Sequence, residues 1–168
     1  TTTGGGSLAF TLSGAGTLTS TAAGAISLDG GFSETGAANV VLSGSITTTN
    51  DNISFGSSIT LAGTTTLSTG AGIGNITVTT INGAHDLNLT AGTGSITASG
   101  DLGRSTRLGA VTVVSCTDFT TQAVTAASLT ITSSTGIVTF NGDLNTNAVT
   151  GIVVNGADII RRGAVTST

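Results

Sequence analysis

The chain has 168 residues, with 26 glycines, five phenylalanines and no Trp, Met, Pro or Tyr. Eight carboxylates against four arginines give a formal net charge of −4, so the phosphate neutralisation that nucleic-acid binding needs is missing. A single cysteine, Cys116, excludes a scaffold held by internal disulfides. We therefore expect a narrow aliphatic core and no nucleic-acid partner.

Ten short runs alternate apolar and polar residues and are bounded by Gly, Asn or Asp, which is typical of strands between tight turns. Helical periodicity is absent, and a helix rich in Gly, Thr, Ser and Val would be unfavourable by about 0.5 to 1 kcal/mol per residue relative to Ala. In chain order the runs are SLAFTLS (7–13), AISLDG (25–30), NVVLSGSIT (39–47), NISFGSSITL (52–61), NITVTTI (75–81), DLNLT (86–90), SITAS (95–99), AVTVVS (110–115), SLTITS (128–133) and IVTFNG (137–142).

The hydropathy of the chain is distributed along these alternating runs. Mean hydropathy is +0.42, but no apolar stretch approaches the ~18 residues that a membrane-spanning helix needs. We therefore expect no insertion into a membrane. The sequence shows no initiator Met and no signal peptide, so we expect a segment of a longer protein.

A repeated phrase predicts the architecture. GSITASGDLG (94–103) returns as GIVTFNGDLN (136–145) 42 residues later, and GNITVTTING (74–83) precedes it by 20. One coil of a β-solenoid needs about 20 residues for three short strands and three turns, and successive coils stack at the strand spacing of about 4.8 Å. We predict an all-β fold, a single β-solenoid over residues 1–168 with roughly 20 residues per coil.

The repeat also predicts side-chain directions. AISLDGGF and NISFGSSI lie 27 residues apart, so longer corner loops are expected in the first half. Apolar residues that alternate with Thr, Ser and Asn should point inward. These are Val111, Val113, Leu129, Ile131, Val138 and Phe140.

The offset of 42 places two corners of the same composition two coils apart. At each corner the glycine should take a backbone angle closed to other residues, the aspartate should bond to the turn amides, and the leucine should enter the core. The two corners are Gly100, Asp101 and Leu102, and Gly142, Asp143 and Leu144.

Residues with catalytic or metal-binding chemistry do not cluster in the sequence. The acids are spread along the chain, mostly beside Gly or Asn, which favours turn capping over catalysis. His85 precedes Asp86, whereas a triad needs His and Asp to converge on an exposed Ser from separate places in the chain, and TNDN (49–52) only approaches a calcium loop. Cys116 has no cationic neighbour in the sequence, so we expect a buried thiol. No catalytic, cofactor-binding or metal-binding residue is predicted, and we expect no enzyme; the acids are Asp29, Glu34, Asp51, Asp86, Asp101, Asp118, Asp143 and Asp158.

Paired threonines raise an ice-binding alternative, because a flat array of Thr-x-Thr pairs resembles the surface of ice-binding solenoids. The pairs are 47, 13 and 53 residues apart, which are not multiples of one period, so ordinary strand threonines are favoured. The pairs are Thr17 and Thr19, Thr64 and Thr66, Thr77 and Thr79, and Thr130 and Thr132.

Runs such as GSITASGDLG, DNISFGSSITLAGTTTLSTG and NITVTTINGAHDLNLTAGTG resemble the Thr/Gly/Asn-rich repeats of filamentous-haemagglutinin-like adhesins and autotransporter passengers of bacteria. The resemblance covers essentially the whole chain and implies a right-handed parallel β-helix that serves as an extracellular stalk or fibre at the cell surface. A receptor on a host or another cell would then be a partner class, although no RGD tripeptide is present. A polysaccharide-active β-helix is a less favoured alternative.

A second hypothesis is a subunit of a self-assembling extracellular filament. Neither TTTGGG (1–6) nor GAVTST (163–168) resembles a helical or strongly charged cap. A solenoid without caps exposes strand edges that invite another copy. Self-association end to end or side by side is therefore the expected partnership.

Overall fold

The computed structural model describes residues 1, 3–36 and 39–168. These residues form nineteen β-strands and no helix, so the described part of the chain holds no helix that would cross a membrane. The strands are β1 (Leu8–Thr11), β2 (Thr17–Thr19), β3 (Ile26–Leu28), β4 (Phe32–Thr35), β5 (Asn39–Thr48), β6 (Ile53–Phe55), β7 (Ile59–Ser68), β8 (Ile76–Val78), β9 (Ile81–Asn82), β10 (Leu87–Thr90), β11 (Ile96–Ala98), β12 (Leu108–Ser115), β13 (Phe119–Thr121), β14 (Val124–Ile131), β15 (Ile137–Phe140), β16 (Leu144–Thr146), β17 (Ile152–Val154), β18 (Asp158–Arg161) and β19 (Val165–Ser167).

All strand pairs are parallel, and the chain winds into a β-solenoid of about eight coils with roughly 21 residues per coil. Face 1 is the eight-stranded sheet β1-β4-β6-β8-β11-β13-β15-β18. The second sheet bends into two faces along its long strands. Face 2 contains β2, β9, β16, β19 and the first halves of β5, β7 and β14; face 3 contains β3, β10, β12, β17 and the second halves of β5, β7 and β14.

The predicted repeat register is confirmed. Ile76 pairs with Ile96, which is the offset of 20, and Ile96 reaches Val138 through Phe119, which is the offset of 42 over two coils. Leu102 likewise reaches Leu144 through Val124. Both leucines are buried in the same inward column, so the two GDL corners are equivalent positions two coils apart.

The two stretches from which longer corner loops in the first half were expected do not measure a coil. Ile26 pairs with Ile46, and Ile53 pairs with Phe32, so AISLDGGF and NISFGSSI belong to different faces and their separation of 27 is not a coil length. Spacings on face 1 run from 19 residues (Phe119 to Val138) to 24 (Leu8 to Phe32). The number of residues per coil therefore varies along the whole chain, and the distance between similar stretches of sequence does not measure it.

The core consists of aliphatic columns, one residue per coil, with four fully buried phenylalanine rings on face 1. The six residues predicted to point inward are all buried, at 1% exposure or less. Phe32 and Phe55 lie 5.0 Å apart between ring centroids, and Phe119 and Phe140 lie 6.1 Å apart. Alternation of side chains across each strand therefore separates a dry interior from three hydroxyl-rich faces.

Candidate functional site

Side-chain oxygens at the corners accept backbone amide hydrogen bonds from the next coil. Asp118 Oδ1 accepts from the amide of Ile137 at 2.8 Å, and Asp143 Oδ1 accepts from the amide of Ala164 at 2.7 Å. In each case the donor occupies the same corner position one coil later. The same bond joins Asn52 to Asn75, Asn75 to Ser95, Asp86 to Ala110 and Asp101 to Ala123.

The roles predicted for the two GDL corners are therefore correct for leucine and wrong in part for the other residues. The Asp101 and Asp143 carboxylates accept a backbone amide from the next coil and not from their own turns. Neither Gly100 nor Gly142 has a positive φ. Glycine is needed there for space, because a Cβ at Gly100 would lie 2.3 Å from Thr80 Oγ1.

Replacing Asp118 with alanine should destabilise the solenoid by about 1 to 3 kcal/mol, since a charge-assisted hydrogen bond between two coils is lost. Asp118→Asn keeps an acceptor oxygen and should lose much less. Chemical denaturation of the three proteins measures both differences. Equal loss of stability in both variants would show that the carboxylate charge matters and the inter-coil bond does not.

The His85 and Asp86 pair forms no catalytic arrangement among the described residues. Both residues are exposed at one corner. The Asp86 carboxylate accepts a hydrogen bond from the Ala110 amide. The described residues contain no group of three His, Cys, Asp or Glu side chains that would hold a metal ion. In TNDN, Asn50 has a φ of 63° and its Oδ1 accepts from the Gly72 amide at 2.7 Å, so this stretch is a structural corner.

Among the described residues, Glu34 is the one acid whose side chain points inward, which was not predicted from the sequence. It stacks between Phe10 and Phe55 on face 1 and is completely buried. Its two oxygens contact Ser57, one at the backbone amide (3.1 Å) and one at Oγ (2.9 Å). The alternation of FSET, which places Glu34 two residues after Phe32, was the available signal.

A polar groove on face 2 contains two aspartates and one arginine. It has a volume of about 530 Å³, and it is lined by Asp101, Arg104, Asp143 and Asn145 among others. Arg104 donates to Asp101 at 2.9 Å, but its side chain is 79% exposed. Arg107 donates to the carbonyls of Ala126 and Asn145 in the next two coils. The Arg107 contacts therefore join three coils, whereas the Arg104 pair lies within one coil.

Cys116 is buried, as predicted. Burial raises the pKa of its thiol above the ordinary value; a hydrogen bond with Ser134 lowers it, and the Asp118 carboxylate raises it again. The thiol therefore stays protonated at neutral pH, and it is a poor nucleophile because the thiolate is the reactive form. It packs in the core as a small apolar side chain.

Thr121 Oγ1 is the buried side-chain polar atom that finds no hydrogen-bond partner within the described part of the chain. Thr121→Val should stabilise the protein by about 1 kcal/mol, because it removes an unsatisfied hydroxyl at nearly constant shape. The matched control is Thr69→Val, where Oγ1 donates to the Gly74 carbonyl at 2.7 Å. That variant should lose stability in the same thermal melts, and a destabilised Thr121→Val would contradict the assignment.

The Thr-x-Thr pairs are spread over the three faces. Thr17 and Thr19 belong to face 2 and Thr77 to face 1. Thr66 and Thr130 share one outward column on face 3, but Asn88 lies between them in that column, so no unbroken array of pairs forms. Single hydroxyl residues instead align between strands, one per coil, a pattern that spacing within a strand does not reveal. The column on face 1 consists of Ser33, Ser54, Thr77, Thr97, Thr120 and Thr139.

Both ends of the described solenoid expose apolar residues. At the amino-terminal end, an open cavity of about 200 Å³ is lined mainly by Phe10, Leu18, Ile26, Phe32, Leu42 and Ile46. At the other end, Ile159 and Val165 hold inward positions yet are 53% and 50% exposed. No protein-family model, curated protein or solved structure matches the chain.

Proposed function

We propose that this chain is a rod-shaped structural segment, an extracellular stalk of a bacterial surface adhesin. The observation that carries the proposal is the single parallel register through about eight coils, with corner side chains used to bond one coil to the next. At about 4.8 Å per coil the rod is roughly 40 Å long. Such a rod projects whatever it is attached to and needs no reaction centre.

The hydroxyl-rich outer faces are suited to contact with water, and the location outside the cell rests on the resemblance of the repeats to those of secreted adhesins. Antibodies against the chain, applied to intact cells of the source organism, test this location. Labelling of intact cells is the expected result. Labelling only after the cells are permeabilised would contradict the proposal.

A filament subunit is the second candidate, because the strands of a parallel solenoid can also pair with a coil of another copy. Electron microscopy of the purified chain separates the two candidates. Rods of about 40 Å favour a stalk, and long uniform fibres favour a filament.

A further inference from the structure

We propose that the polar groove on face 2 binds an uncharged saccharide of about the length of a disaccharide. Three features of the groove support this: a loop inserted into one coil, a gap between two carboxylates, and a balanced set of hydrogen-bonding groups. The proposal goes beyond the rod-shaped segment proposed above and does not depend on where that rod is located.

The inserted loop forms one wall of the groove. Leu102 and Leu108 enclose the five residues 103–107, whereas the single residue Thr125 lies between their partners in the next coil. The chain is therefore four residues longer here than in the next coil. The extra residues are exposed, and Arg104 among them lines the groove. In repeat proteins such insertions lie on one face, which is often the binding face.

The loop is held in place by the preceding coil. Asn82 Oδ1 accepts the amide of Ser105 at 2.8 Å and the amide of Thr106 at 3.2 Å. The Gly103 amide donates to the Ile81 carbonyl at 2.7 Å. A wall that is ordered before the ligand arrives loses little conformational entropy on binding, so the groove is preformed.

The gap between two carboxylates forms the centre of the groove. Asp101 and Asp143 occupy the same position two coils apart, and Ala123 occupies it in the coil between them. The two aspartate positions lie about 10 Å apart along the rod, which is comparable to the length of a disaccharide. The small side chain of Ala123 leaves the space between them open. The volume of about 530 Å³ is in the range of small-molecule sites.

The groove offers donors and acceptors that its own contacts do not use. Arg104 donates to Asp101 through one terminal nitrogen and has further N–H groups. Asp143 Oδ1 accepts a corner amide, and no hydrogen bond among the described residues uses its Oδ2. The Thr125 hydroxyl and the side-chain N–H groups of Asn145 likewise have no partner in the described part of the chain. A sugar hydroxyl both donates and accepts, so a saccharide can pair with each of these groups.

The charges around the groove are balanced, which favours an uncharged ligand. Asp101 and Asp143 are opposed by Arg104 and by Arg107, whose guanidinium donates to uncharged oxygens. An anion would meet the carboxylates and a cation would meet the guanidiniums, so neither gains from charge complementarity. None of the described residues that line the groove is aromatic, so ring stacking adds nothing and the Kd should be in the millimolar range.

Titration of the isotope-labelled 168-residue chain with cellobiose and with maltose, followed by NMR of the backbone amides, tests the groove. The two probes differ in the configuration of the link between their sugar rings. The expected result is saturable shifts with at least one of them, at the amides of Ala123, Thr125 and Asn145 and not on faces 1 and 3. Inorganic phosphate and spermidine, as anionic and cationic probes, should bind more weakly.

Three variants each alter one feature of the groove. Ala123→Leu fills the gap between the carboxylates and should abolish binding. Arg104→Ala removes the donor on the wall and should weaken binding about tenfold or more, and Thr125→Val removes a hydroxyl at nearly constant shape and should weaken it about fivefold. The matched control is Thr112→Val, which removes an outward hydroxyl on face 3 and should bind like the parent chain. Circular dichroism confirms that all four variants are folded.

Three outcomes of the titrations would overturn the proposal: no shifts with either disaccharide, shifts confined to other faces, or tighter binding of phosphate or spermidine than of both disaccharides. Unchanged affinity in Ala123→Leu and Arg104→Ala would overturn it as well. None of these outcomes bears on the stalk, which surface labelling of intact cells tests separately.

Discussion

Val113→Asp and Ile131→Asp should each unfold the solenoid or separate its coils. Both side chains are completely buried and pair with each other on neighbouring coils of face 3. An aspartate there finds no cation and no spare amide, so the loss should be about 5 kcal/mol or more, comparable to the whole stability of a domain. Far-UV circular dichroism during heating measures the loss.

The matched controls are Thr112→Asp and Thr130→Asp. These threonines adjoin Val113 and Ile131 on the same strands, pair with each other, and face outward. The substitutions add the same charge to the same region without burying it, so their effects should stay within about 1 kcal/mol. A native melting profile in either inward variant would show that the assigned inward face is wrong.

The period was predictable because stacking repeats the same requirement in every coil. An inward position accepts an aliphatic residue wherever it recurs, so Ile76, Ile96 and Val138 are alike for one physical reason. The phase was harder to predict. A strand such as β13 has three residues, too few to show alternation, and a coil shortened to 19 residues breaks any fixed offset.

The misaligned stretch in the first half has the same cause. AISLDGGF resembles NISFGSSI in letters, but Ile26 lies on face 3 and Ile53 on face 1. All three faces demand alternating aliphatic residues, so composition alone does not separate them. Only the hydrogen-bonded register distinguishes one face from another.

The corner position of the acids was predictable from the sequence, but their hydrogen-bond donors were not. Aspartate beside glycine correctly indicated a corner role for Asp101 and Asp143. The bonding partners, Ala123 and Ala164, lie about one coil further along the chain, and their amides carry no signal in the sequence. Any backbone amide is a donor, so the inter-coil bond appears only once the stacking is known.

Burial of Glu34 marks a further limit. The alternation of Glu34 with Phe32 indicates the inward face. Burial of a carboxylate without partners costs a large free energy, however, so the sequence alone argues against an inward glutamate. Ser57 resolves the conflict by bonding both oxygens from the next coil. The hydroxyl and the amide that make the site acceptable are 23 residues away.

Gly103→Ala should destabilise the protein strongly, for two reasons that a second variant separates. Gly103 has a φ of 82°, and a Cβ there would lie 2.0 Å from the Thr125 carbonyl of the next coil. The backbone angle alone costs an alanine about 1 to 2 kcal/mol. The clash adds to this, because a carbonyl fixed in a parallel ladder has no room to move, and the total should exceed about 3 kcal/mol.

Gly70→Ala isolates the backbone contribution. Gly70 has a φ of 81°, nearly the same as Gly103, but its nearest neighbour across the coil boundary would be Asn50 Oδ1 at 3.4 Å, an ordinary contact. This variant should lose about 1 to 2 kcal/mol in urea unfolding, the cost of the angle by itself. The difference between the two variants then measures how closely adjacent coils pack at the Gly103 corner. Equal losses would mean that the coils separate there without penalty, and the rigid stacking on which both the stalk and the filament depend would fail at this corner.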